Sequence, residues 1–251
     1  MSERKKILVI GRSHAIMMAE AATQPDSGFG ANFSFIFTNT YEPIWERVSN
    51  DPPLREDFAR AIEEGLEGAD AVALVVQGNM HSILGMLEQT PPIDFVYSGR
   101  PGLPIDRDAI LVPEKMVKNW MRNNLLELRS ILAHLRHIDL PVFVLGSPPP
   151  LRRNDLVLEK ADKYFRRTSS EETPLKPSAP SMRMKCWLLQ DEVYREIAKE
   201  WGVGFIPVPE EAVEDGGFLD EGASGRDATH GNRWFGSLRL SQLTHALAAK
   251  G

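Results

Sequence analysis

The chain has 251 residues, 42% hydrophobic and 25% charged, a balance that suits a folded protein with a sizeable core and excludes a chain disordered throughout. A formal net charge of −6 with no Lys/Arg-dense run argues against nucleic acid as the main partner. Cys186 is the only cysteine, which rules out an intrachain disulfide. The few apolar residues before Gly11 are too short a run for a signal-peptide core or a membrane span, so the expected location is cytoplasmic, with no membrane partner.

Residues 6–10 form an apolar run closed by Gly11, which predicts a buried strand, and residues 13–23, rich in Ala and Met, predict a helix directly after it. A Gly/Pro/Asp loop at 24–30 leads to the aromatic run 33–37, a second strand. After a loop at 50–53, residues 54–66 have helical spacing with acidic residues near the start. Residues 69–76 are almost continuously apolar, the mark of a strand covered on both faces, and end in Gln77-Gly78-Asn79. A helix is expected at 81–88, then a long Pro/Gly/Asp-rich connection at 91–113, one long helix at 114–137 and a fourth strand at 141–146.

Ser147-Pro148-Pro149-Pro150 stops that strand, because successive prolines remove ladder donors. An irregular stretch to about residue 181 carries Arg152, Arg153, Lys160, Lys163, Arg166 and Arg167; it reads either as a solvated flap or as a basic lid over an anionic substrate. A helix at 182–201, a fifth strand at 203–207 and a terminal helix at 233–249 complete the chain. Strands alternating with helices predict an α/β protein, a doubly wound α/β/α sandwich on a mainly parallel five-stranded sheet in the flavodoxin-like order 2-1-3-4-5. It is expected as a single domain over 1–251, with irregular insertions at about 91–113 and 147–181. That order makes the turns at Ser13 and Asn79 neighbours at the carboxyl ends of the strands, where sites of such folds gather.

Ser13 opens a helix after a strand, so an oxyanion near it meets unpaired backbone N–H groups; taken alone it also reads as a simple N-cap. A serine nucleophile needs a base, and Asp227-x-x-His230 supplies a histidine with a carboxylate three residues away. Gly11-x-Ser13, Gly78-Asn79 and Asp227-x-x-His230, in this order and at the ends of strands one, three and five, resemble the signature blocks of the SGNH/GDSL hydrolase superfamily. The resemblance implies a serine esterase: Ser13 as nucleophile, His230 as general base, Asp227 as its orienting partner, and an oxyanion hole from the Ser13 N–H, Gly78 and Asn79. It implies acyl esters, often acetyl groups on carbohydrates or lipids, as substrates, with no metal and no organic cofactor.

Two departures stand out. Arg12 occupies the place where the family usually has aspartate, and a cation there is a candidate for attracting an acidic substrate. Phe37-Thr38-Asn39-Thr40-Tyr41 holds no glycine, where the family draws another backbone oxyanion donor; a donor near Asn39 is one substitute. His81 is a candidate pocket residue and His14 reads as structural, pointing away from Ser13. Trp187 is a packing residue or a sugar contact. An acyltransferase using a sugar hydroxyl in place of water, a catalytically silent carbohydrate-binding module and a flavodoxin-like phosphate binder are the other readings. Oligomeric state is not legible.

Overall fold

Strand β1 (Lys5–Gly11) is buried on both faces. Ile7 and Val9 point into one apolar layer, and Leu8 and Ile10 into the other, as the two-residue period of a strand requires. The computed structural model describes residues 4–24, 28–45, 52–161, 163–166 and 174–249; parts of the predicted loops at 25–27, 50 and 51, and Arg167 of the basic stretch, lie outside the described residues. After β1 come α1 (Ser13–Ala22), β2 (Ala31–Phe37), a 3-10 turn (Thr38–Tyr41), α2 (Glu56–Leu66), β3 (Ala71–Val75) and α3 (Met80–Gly85). The short strands β4 (Ile93–Asp94) and β5 (Ile110–Leu111) are followed by α4 (Glu114–Asn123), α5 (Leu126–Leu135) and β6 (Val142–Leu145). Then come α6 (Asn154–Lys160), α7 (Lys163–Arg166), α8 (Pro180–Glu200), β7 (Gly204–Ile206) and α9 (Arg233–Ala248).

The main sheet has five strands in the order β2-β1-β3-β6-β7, and every neighbouring pair is parallel. This is the expected 2-1-3-4-5 arrangement, with β6 and β7 as its fourth and fifth strands. The core beneath one face gathers Ile7, Val9, Ala73 and Leu145 with Met18 of α1 and Phe235 and Leu243 of α9. The opposite core gathers Leu8, Leu74 and Val144 with Phe58 of α2, Ile131 of α5 and Tyr194 and Ile197 of α8. Helices α1 and α9 meet at Gly236, where a Cβ would lie 2.2 Å from the Met17 carbonyl oxygen. Only glycine permits backbones this close.

The single helix expected at 114–137 is two. Gln77, the one non-glycine among the described residues with left-handed backbone (φ 52°), reaches into the gap between α4 and α5. Its side-chain amide donates to the Asn124 carbonyl (2.7 Å) and accepts from the Leu128 N–H (3.2 Å). An inserted side chain that takes over ladder partners ends one helix and starts the next.

The 91–113 connection carries the β4–β5 ladder and a third apolar cluster in which Phe95 and Tyr97 pack against Val117, Met121, Met182 and Leu189. At its base Asp94 and Lys185 form an ion pair, each 2% exposed or less. Asp94 also accepts from the N–H groups of Phe95 (2.7 Å) and Asp106 (2.8 Å), and Lys185 donates to the Pro104 carbonyl (3.0 Å). A buried pair is tolerable only with such additional partners.

Candidate active site

Gly11 makes the first turn possible. A Cβ there would stand 2.7 Å from the Ala15 Cβ and 2.8 Å from the Val75 carbonyl oxygen, so β1, α1 and β3 converge on a bare backbone. Arg12 donates its N–H to Val75 (3.3 Å) and is the N-cap residue of α1, without a side-chain capping bond. Ser13 is therefore the first helical residue rather than the cap, and among the described residues its hydroxyl has no hydrogen-bond partner. The Ala15 N–H turns back to the Arg12 carbonyl (2.9 Å), while those of Ser13 and His14 open the helix, where the first N–H groups have no acceptor one turn back.

The second contribution is the loop between β7 and α9. Gly225 donates to the His230 carbonyl (2.7 Å), and Ser224 bridges Gly231. A Cβ at Gly225 would sit 2.7 Å from that same carbonyl oxygen. Inside the closed loop Asp227 Oδ1 accepts from the Thr229 N–H (2.9 Å), the Thr229 hydroxyl (2.9 Å) and the His230 N–H (3.0 Å). His230 Nδ1 lies 2.7 Å from Oδ1 and 2.8 Å from Oδ2. Burial pushes the Asp227 carboxyl up, but the hydrogen bonds and charge of His230 and the Thr229 bonds outweigh it and hold the carboxyl well below the usual carboxylate range. Asp227 is thus a carboxylate fixed on Nδ1, and the far ring nitrogen, Nε2, is buried without a partner.

Ser13, Asp227 and His230 line one cavity of about 780 Å³. No hydrogen bond joins Ser13 to His230; such bonds are often long in unliganded sites and tighten with substrate. The other walls are Ile16, Met17, Glu20 and Thr23 of α1 and its cap, and Arg226 and Arg233 beside the histidine loop. These residues were missed in the sequence. The signal that finds the first group is their three- and four-residue spacing from Ser13, one helix face.

Gly78 and Asn79 end β3 on the other side of the histidines. Asn79 is half-buried and caps α3 without a side-chain bond; neither residue lines the cavity. The Gly78 backbone packs against the His14 ring and the Ser147 hydroxyl, 2.8 to 2.9 Å from where a Cβ would be. Gln190 of α8 ties this region together: it donates to the Gly78 carbonyl (3.1 Å) and the Ser147 hydroxyl (2.9 Å) and accepts from the His81 N–H (2.6 Å).

Other residues singled out in the sequence lie outside this cavity. Arg12 is ion-paired with Glu42 and lines no part of the cavity, so its charge is compensated and lies outside the cavity walls. His81 is 3% exposed, with its ring against Gln190 and Ser82, a packed residue and not a wall of the cavity. Most of the described cations of the basic stretch after Ser147 are taken up by partners: Arg152 by Glu214, Arg153 by Asp155 and Glu221, Arg166 by the Ala161 carbonyl. Lys160 donates to Ser224 Oγ (2.6 Å) and the Gly225 carbonyl (2.8 Å), bracing the histidine loop from behind. Neither insertion contributes a wall residue. The segment after β2 is a 3-10 turn with Asn39 exposed, also outside the cavity. Trp187 donates to the Ser147 carbonyl (2.9 Å) and borders a separate hollow of about 240 Å³ with Asp191, Arg195 and Val208.

Burial lowers the His81 pKa to about 4 from 6.5. Between those values the unfolded chain binds the extra proton, so stability is present above about pH 6.5 and falls as pH drops toward 4. The midpoint of urea unfolding is expected to decline over that interval, and by less in His81→Gln.

Among the described residues no group of three His, Cys, Asp or Glu is placed to hold a metal ion, and no helix is long and apolar enough to cross a membrane. Fold and site together define a doubly wound α/β protein that carries a serine and an aspartate-bound histidine around one cavity, beyond the carboxyl ends of its strands. No family model and no curated relative matches the chain. Similar solved structures include a GDSL-like lipase from Bacteroides thetaiotaomicron VPI-5482, at 10% identity over 100% of this chain and 91% of that one, with a TM-score of 0.48. A carbohydrate acetylesterase from Sinorhizobium meliloti is 12% identical over 98% and 100%, with a TM-score of 0.46. The periplasmic domain of a Salmonella ser. Paratyphi A lipopolysaccharide acetyltransferase is 12% identical over 99% and 85%, with a TM-score of 0.49. At TM-scores below 0.5 none of them assigns this chain a substrate or mechanism.

Proposed function

We propose that this chain is a serine esterase of the SGNH/GDSL type that hydrolyses an acyl ester, with an acetyl ester of a carbohydrate as the substrate class its signature blocks imply. The observation that carries the reading is the Asp227 carboxylate on His230 Nδ1, which leaves Nε2 unpartnered beside a cavity that also holds the uncommitted Ser13 hydroxyl. In this reading Ser13 Oγ attacks the ester carbonyl carbon and its proton passes to His230 Nε2, while Asp227 fixes the tautomer and stabilises the imidazolium. The carbonyl oxygen takes the negative charge and is met by the Ser13 N–H; Gly78 and Asn79, the other donors the signature blocks imply, stand outside the walls of this cavity. Collapse of the tetrahedral intermediate breaks the ester C–O bond, and the leaving alcohol takes the proton from His230. Water then attacks the acyl-serine, giving up a proton to His230, and the acid departs as Ser13 regains it.

A silent binding module is the second reading. It is favoured by the glycine-free turn after β2 and by the missing Ser13–His230 hydrogen bond. A fluorophosphonate probe, read by intact and peptide mass spectrometry, separates the two. An esterase takes one adduct, on Ser13, and loses it in His230→Ala. Folded wild type that takes no adduct is a binding module. An acyltransferase labels like the esterase and is told apart by faster release of the acyl group when a sugar is added.

A further inference from the structure

His14 is the residue the esterase reading does not use. It follows Ser13 on α1 and is 3% exposed, and neither ring nitrogen has a hydrogen-bond partner. Burying two unsatisfied polar atoms costs stability that an apolar side chain would spare. Its ring lies beside that of His230, with the centroids 4.4 Å apart and the planes tilted by 42°. On its other side the ring rests on the Gly78 backbone, which has no side chain to displace it.

We infer that His14 is a positioning residue for His230: its buried ring is the back wall that holds the His230 imidazole in the plane joining Asp227 to the cavity. The inference rests on the serine-esterase reading for its consequence in rate, but not for its geometry. Asp227 grips only the Nδ1 edge of His230. A ring held at one edge still swings about its χ angles unless a face is packed, and the contact with His14 packs that face. The charged and titratable groups around His14 are His230 and Asp227 from the histidine loop, His81 from α3 and Arg239 from α9, which borders the same small cavity as His14. Burial first, then the neighbouring His230 and His81, keep His14 neutral, so it adds no like charge beside the imidazolium that forms during acyl transfer.

The test compares His14→Ala and His14→Phe with wild type in two measurements. One is the second-order rate of fluorophosphonate labelling at Ser13. The other is the low-field proton NMR resonance of the His230 Nδ1–H bound to Asp227, which needs no turnover. The expected result is at least a tenfold slower labelling and a broadened or lost resonance in His14→Ala, with His14→Phe within about threefold of wild type and its resonance retained. A folded His14→Ala that labels within twofold of wild type and keeps the resonance overturns the inference. Should His14→Ala not fold, His14→Leu replaces it, and equal behaviour of the Leu and Phe variants likewise overturns it. If wild type takes no label, the esterase reading fails, and the resonance in the variants still decides whether His14 holds His230 in place.

Discussion

Ser13→Ala is expected to reduce turnover of p-nitrophenyl acetate by up to about 10⁶-fold, and Asp227→Asn by about 10⁴-fold, the scale of losses in serine hydrolases built on the same logic. The two substitutions remove different things. Without Ser13 Oγ there is no acyl-enzyme, and what remains is the contribution of the oxyanion donors and of binding. In Asp227→Asn the Oδ1 position still accepts from the Thr229 N–H, the Thr229 hydroxyl and the His230 N–H, so the loop keeps its shape. What is lost is the charge that sets the proton on Nδ1 and leaves Nε2 free to act as base. Kinetics with matched unfolding curves check this: Ser13→Ala should unfold close to wild type, Asp227→Asn should lose the part of the stability its depressed carboxyl supplies at neutral pH while staying folded, and kcat should collapse in both. If p-nitrophenyl acetate turnover is the same in wild type and Ser13→Ala, the chain is not an esterase working through this serine.

The largest loss of stability is expected far from the cavity, at Asp94→Ala. With Lys185 1% exposed, removing the carboxylate strands an ammonium whose remaining acceptor is the Pro104 carbonyl and frees the buried N–H of Phe95 and the part-buried N–H of Asp106. Breaking a buried pair from one side costs about 3–5 kcal/mol. The double variant Asp94→Leu/Lys185→Met removes both charges and should lose less than Asp94→Ala alone. Equilibrium unfolding in guanidinium chloride measures both. An Asp94→Ala loss under about 1 kcal/mol would mean that water reaches Lys185 and that the pair does not anchor the 91–113 segment.

What could be read from the sequence was local. Each sheet strand is a short apolar run closed by Gly, Pro or a polar turn, and the alternation with helices carries the strand order because parallel crossovers leave few topologies. Asp227 and His230 were legible because three residues and one turn bring them together. What was not legible depends on partners far along the chain. The break between α4 and α5 is made by Gln77, 47 and 51 positions from the groups it binds, and nothing at 123–126 announces it. Asp94 and Lys185 are 91 residues apart, and each alone reads as a surface charge. The pairing of Arg12 with Glu42 and of the 147–181 cations with nearby acids was invisible for the same reason: charge along the chain does not say which opposite charge the fold delivers. His14 read from the sequence as structural, and its ring neighbour His230 is more than two hundred positions away.

The glycine contact between α1 and α9 bears on how the site closes. Ser13 rides at the start of α1, and His230 stands three residues before α9. With Gly236 set against the Met17 carbonyl, neither helix has room to slide toward the other. In the proposed reading this contact resists sliding of the two backbones that carry Ser13 and His230, which leaves side-chain rotation as the motion available to bring the serine toward its base. That is motion on a picosecond-to-nanosecond scale, too fast to limit turnover. On that reading, a substrate that sets the serine rotamer on arrival needs no helix movement at the α1–α9 contact.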